Sequence, residues 1–183
     1  MERLNPQARR DAYGSRINRM PSPALVMIIP PVSIVIASLL QFLPIASGLP
    51  YLPPLAFMML VAWRIHQPSV LALWAGIPLG LVDDLYSGQP FGSAIMLWSL
   101  TILLLEIIEV RFPWRGFGQN WLTFAVLSTI YILVCALLSG AAPGIPGLIA
   151  LGPQILLSIV LYPMVARMVA RLDRLRLTRF RVV

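Results

Sequence analysis

The chain has 183 residues, 58% of them hydrophobic and 11% charged, with 14 arginines, no lysine and 7 acidic residues for a net charge of +7. A soluble domain needs roughly a quarter of its residues charged to coat its surface, so a mean hydropathy of +0.83 excludes an ordinary water-soluble globule. Disorder is excluded as well, because disordered chains combine low hydrophobicity with high charge; the position of the arginines decides whether the positive charge speaks for nucleic acid.

A helix that crosses a membrane needs about 20 mostly apolar residues, and six such segments are predicted. The first covers residues 24–43, carries no charge, follows Pro21-Ser22-Pro23 and contains Pro30-Pro31. The second covers 49–63, is broken at its start by Pro53-Pro54, and rises only about 22 Å against a hydrocarbon core of about 30 Å. The third covers 69–86, contains Pro78 and ends in two carboxylates. The fourth covers 91–108, the fifth 121–138, and the sixth 147–166 with Pro153 and Pro163 inside. Membrane bundles tolerate prolines where neighbours satisfy the freed carbonyls, so several helices are expected to be kinked or partly broken. A transmembrane barrel would alternate apolar and polar residues, and stretches such as 95–105 do not. The fold class is therefore an all-α membrane protein, a polytopic bundle of six transmembrane helices.

The arginines orient it. Arg3, Arg9, Arg10, Arg16 and Arg19 precede the first span, Arg64 follows the second, Arg111 and Arg115 follow the fourth, and Arg167, Arg171, Arg174, Arg176, Arg179 and Arg181 follow the sixth. Connections 41–48, 86–90 and 139–146 hold none. Six spans place every arginine on one side, which the positive-inside rule makes the cytoplasm, with both termini inside. The charge thus orients a membrane protein and does not point to nucleic acid. Residues 1–22 form a basic cytoplasmic segment, 23–166 the transmembrane domain, and 167–183 a basic amphipathic cytoplasmic tail. The first apolar stretch is too long for a signal-peptide core of about 7 to 15 residues, so it is expected to be retained. In the tail, Met164, Met168, Leu172 and Leu175 share a face beside Arg167, Arg171 and Arg174. With Arg176, these arginines are expected to anchor the tail along anionic lipid headgroups, at about 1 kcal/mol each.

The catalytic inventory is sparse. Cys135 is the single cysteine and lies in an apolar span, and His66 is the single histidine, in a short connection beside Arg64. No Gly-rich phosphate loop, HExxH or GxSxG is present, so no catalytic residue, cofactor or metal ligand is predicted. Glu106 and Glu109 are expected to pair with Arg111, Arg115 or Arg64. Trp63, Trp98, Trp114 and Trp121, with Tyr51 and Tyr86, are read as interfacial anchors, and Trp74 as packing.

One constellation is dense: residues 76–92, GIPLGLVDDLYSGQPFG. Gly76 and Gly80 share a helix face at i, i+4, a spacing that lets backbones approach closely. Gly88 and Gly92 repeat the spacing past a turn marked by Ser87, Gly88, Gln89 and Pro90. Asp83 and Asp84 stand about 100° apart on the helix, with no cation on their side of the chain. Their neutralisation must come from helix N-termini, amides, water or a partner. One of them is expected to cap the next helix or bind a partner.

Residues 80–92 and the six-span layout resemble the rod shape-determining MreD family of bacteria, whose pattern looks like G-x-x-x-D-x-x-x-G-x-P-x-G. Gly80, Asp84, Gly88, Pro90 and Gly92 match it, and Asp83 adds an adjacent carboxylate. The resemblance implies a non-enzymatic component of the cell-elongation complex that supports cell shape and lateral peptidoglycan synthesis. It would bind MreC and, through it, MreB filaments, RodA and a class B penicillin-binding protein. Gly76, Gly80, Asp83, Asp84, Gly88, Pro90 and Gly92 are the partner-interface candidates. Such folds are also similar to the substrate-binding S components of energy-coupling factor vitamin transporters, the alternative reading. An S component typically carries an Ala-x-x-x-Ala surface in its first helix, and 24–43 has no such pair.

Overall fold

Among the described residues six helices follow the predicted order: α1 (Pro23–Gln41), α2 (Leu55–His66), α3 (Gly76–Tyr86), entered through a 3₁₀ turn (Leu73–Ala75), α4 (Ser93–Arg111), α5 (Phe117–Leu138) and α6 (Ile145–Arg176). The computed structural model describes residues 23–41, 52–112, 116–140 and 144–177, and no strand occurs among them. The arginines of the first 22 residues, Arg115, Arg179, Arg181, Trp114 and Tyr51 lie outside the described residues. Helices α4, α5 and most of α6 are long and apolar enough to cross a membrane, whereas α1 and α2 are apolar but shorter.

Two predicted spans change shape. The third was expected over 69–86, but its first part is a turn and a 3₁₀ turn, and α3 itself has 11 residues. Pro78 falls in its first turn, where the missing N–H has no helical acceptor to lose. The sixth is one helix of 32 residues with Pro153 and Pro163 inside it, about 48 Å long. The boundary expected at 166/167 therefore falls within α6, and the basic segment up to Arg176 continues that helix. Its inward face is Ser158, Tyr162, Val165, Val169 and Asp173, all buried, while Met164, Met168 and Leu175 face outward.

Helix α2 is the hub. Every residue from Ala56 to Arg64 is buried, so this helix has no side to present to lipid, and a length of about 18 Å is no defect. Trp63 Nε1 donates to Ser33 Oγ of α1 at 2.8 Å, and Ser33 Oγ donates in turn to the Pro30 carbonyl at 2.7 Å. Phe57 stacks on Tyr131 of α5 with centroids 4.0 Å apart, and Phe124 stacks on Tyr162 to join α5 to α6. Trp63 and Trp98 are thus core residues and Trp74 is exposed at 68%, the reverse of what span position suggested for these three, whereas Trp121 and Tyr86 are exposed.

Polar contacts mark the two ends of the bundle. At one, Gln154 Nε2 donates to the Leu52 carbonyl at 2.9 Å, and Gln41 reaches the Pro53 carbonyl. At the other, Arg64 pairs with Glu106, and His66 Nε2 lies 3.7 Å from Asp173. Gln154 and Asp173 are 19 positions apart in α6, about 28 Å along the axis, close to the ~30 Å of a hydrocarbon core. Asp173 also binds Arg176 at 2.8 Å, and both are buried. Arg176 is therefore part of a buried pair with Asp173. Arg167, Arg171 and Arg174 are exposed.

Arg64 is buried, and its partner Glu106 is 41% exposed. Removing the carboxylate leaves the guanidinium with the more distant charge of Glu109 and the Leu71 carbonyl, a loss moderated by solvent on the Glu106 side. Glu106→Gln should lower stability by about 1–2 kcal/mol, read as an earlier unfolding midpoint of the purified protein in detergent; an unchanged midpoint would show the pair to be inert.

Candidate functional site

Helices α3 and α4 form an antiparallel hairpin whose closeness depends on the absence of two side chains. A Cβ at Gly76 would lie 2.7 Å from the Ser99 backbone, and one at Gly80 would lie 2.7 Å from the Ile95 backbone. The small-residue face read from the sequence is real, but α4 of the same chain occupies it. The turn between the helices needs glycine for a different reason. Gly88 and Gly92 have φ of +67° and +94°, with open space around each. What selects glycine there is the left-handed backbone, which costs an L side chain roughly 1–2 kcal/mol.

Asp84 closes this hairpin. Its Oδ1 accepts the Ala94 amide at 2.9 Å, and its Oδ2 accepts the amides of Gly92 at 2.9 Å and Ile95 at 3.3 Å. Ser93 Oγ donates to the same carboxylate at 3.3 Å. These are the orphan donors of the first turn of α4, which no residue of that helix can satisfy. The anion also meets the positive end of the helix dipole. The expectation that one carboxylate caps the next helix thus falls on Asp84. Asp83, one position on, turns to the bundle interior beside Ser38 of α1 and is 3% exposed. Its Oδ1 has no hydrogen-bond partner among the described residues.

Gly76, Gly80, Asp84, Gly88 and Gly92 therefore come together in one motif, and Pro90 completes the turn by accepting the Ser93 amide at 3.0 Å. Gly76, Gly80, Asp83 and Asp84 are buried within the hairpin, whereas Gly88 and Pro90 are exposed at its turn. What this unit presents outward is Ile77, Leu81 and Leu85 on α3, with Phe91 at the turn, all exposed. The sequence reading passed over these residues, although their i, i+4, i+8 spacing was the available signal. Asp84 has donors on both oxygens and is not placed to act as a base. No group of three His, Cys, Asp or Glu side chains that could hold a metal occurs among the described residues.

The residues that build this hairpin are those that carried the resemblance, and comparison with known proteins bears on them directly. A family model for the rod shape-determining protein MreD matches residues 22–173. The chain belongs to the MreD family. No curated protein and no solved structure matches it. The matched stretch takes in α1 to α5 and all but the last turn of α6, so the MreD assignment covers the whole described bundle and not the turn motif alone. Membership supports a role in cell shape, and the three long apolar helices agree with a membrane protein.

The cap has a measurable weight. Asp84→Ala strands three amides and should destabilise the protein by about 2–4 kcal/mol, whereas Asp84→Asn, which keeps an acceptor oxygen, should lose less. Thermal unfolding in detergent tests the order; equal midpoints for wild type and Asp84→Ala would remove the cap from the account. Gly80→Leu should also unfold earlier, because the two backbones must separate.

Proposed function

We propose that this MreD-family protein is a non-enzymatic, multi-pass component of the bacterial inner membrane that binds MreC. Through MreC it joins MreB filaments, RodA and a class B penicillin-binding protein in the elongation complex. The family match carries this reading. The arginine distribution supports an orientation with both termini in the cytoplasm, which puts the Asp84-capped turn on the outer side. Exposed Arg167, Arg171 and Arg174 then lie at anionic headgroups of the inner leaflet.

The α3–α4 hairpin supports a specific docking face. Asp83, Asp84 and the four glycines act from inside, by fixing the angle and rigidity of the hairpin, while Ile77, Leu81 and Leu85 form the stripe on which the membrane helix of MreC packs. Tight packing of apolar side chains, without a hydrophobic driving force, is how helices associate in lipid. The transport alternative has less support: at the end of the bundle that lacks arginines, the cleft lined by Gln89, Tyr131, Cys135 and Gln154 measures about 180 Å³, below the ~300–1,000 Å³ of small-molecule sites.

Two measurements test the proposal. Depletion should alter cell width and shape under the microscope, and unchanged cells would reject the cellular role. Leu81→Trp should reduce MreC recovered by co-purification about tenfold with an unchanged unfolding midpoint, whereas Gly80→Leu should lower both. Full MreC recovery with Leu81→Trp would move the interface off α3.

A further inference from the structure

At the arginine-bearing end of the bundle, a groove of about 560 Å³ runs between the first turns of α1 and the segment leading into α3. Val26, Met27, Leu71, Trp74 and Pro78 give it an apolar wall, and Arg176 from the last turn of α6 completes it. An arginine is out of place in such a wall unless an anion accompanies it. Arg176 Nη2 lies 2.8 Å from Asp173 Oδ1 as an ion pair, but Arg176 Nε has no hydrogen-bond partner among the described residues, although the residue is only 5% exposed.

We propose that this groove is a binding site for one anionic phospholipid, with an acyl chain lying along the apolar wall and the phosphate on the Arg176 guanidinium. Three observations converge on it. The volume falls within the ~300–1,000 Å³ of ligand sites. Planar guanidinium and phosphate oxygens are matched hydrogen-bonding partners. Arg176 lies one turn beyond the Asp173–His66 contact, which marks the polar end of the bundle, so a headgroup at Arg176 and a chain between α1 and α3 keep the depth each has in a bilayer leaflet. Trp74, exposed at the groove, suits the boundary between headgroup and acyl chain. The site differs from general headgroup attraction to Arg167, Arg171 and Arg174, because it has a shape as well as a charge. It depends on the chain residing in a membrane, not on MreC as the partner of α3, so failure of either leaves the other standing.

Lipid retention tests it. The full-length protein is purified in mild detergent, exposed to phosphatidylglycerol or phosphatidylcholine, and examined by native mass spectrometry. One phosphatidylglycerol per chain should survive delipidation, with at least tenfold weaker retention of phosphatidylcholine, equivalent to about 1.4 kcal/mol. Arg176→Gln and the groove-filling Ala75→Trp should each reduce phosphatidylglycerol retention about tenfold, whereas Arg171→Gln should leave it unchanged. Ala75→Trp keeps the Asp173–Arg176 pair and so serves if Arg176→Gln fails to fold. Equal loss from Arg171→Gln, equal retention of both lipids, or full retention by Ala75→Trp would overturn the proposal. So would displacement of the lipid by inorganic phosphate, which would show that the acyl chain is not recognised. Retention that appears only after deletion of residues 1–22 would make that segment the occupant and would overturn it as well.

Discussion

A carboxylate on one helix holds the first turn of the next, and the organisation of this end of the molecule depends on it. In water, unsatisfied amides at a helix start can turn to solvent. In a chain surrounded by lipid they must be met from within. Asp84 meets three of them and a hydroxyl at once, and its own charge is neutralised by the same contacts and the dipole behind them. Everything else in the hairpin serves that geometry. Gly76 and Gly80 bring α4 close enough, and Gly88 and Gly92 let the chain reverse in the space available.

The large features were legible in the sequence because lipid imposes simple rules. Apolar length placed the helices in the right order, and the expected pairing of Glu106 with a nearby arginine is met by Arg64. What eluded the sequence is side-chain direction within a helix that is apolar on every side. Nothing in the composition of α2 says that Trp63 points into the core while Trp74, a few residues later, points out. Such helices lack a polar face, so periodicity has no contrast to report. The internal use of Arg176 was hidden for a related reason: it sits among exposed arginines in a charged stretch, and only the three-residue interval to Asp173 hinted at a different fate.

The glycine motif illustrates how one pattern can support two roles. Small residues at i, i+4 signal close approach of backbones, but the signal does not say whether the approaching helix belongs to the same chain. Here it does, because a six-residue turn brings α4 back against α3. On the proposed reading, a partner at this site would meet a surface whose shape the motif fixes from behind. Substitution of the glycines or of Asp84 then perturbs recognition through the hairpin, while substitution of Ile77, Leu81 or Leu85 acts on contact alone.

The shortness of α3 has its own consequence. Together with its 3₁₀ entry it spans about 22 Å, and it shows Ile77, Leu81 and Leu85 outward, whereas α4 and α5 on the same bundle are full-length. Lipid tails beside α3 must compress toward that length, at a cost of fractions of a kcal/mol for each ångström. The bundle therefore carries an elastic dent along one flank of its perimeter. In a bilayer, a protein segment that settled there would remove strained lipid as well as gain contacts.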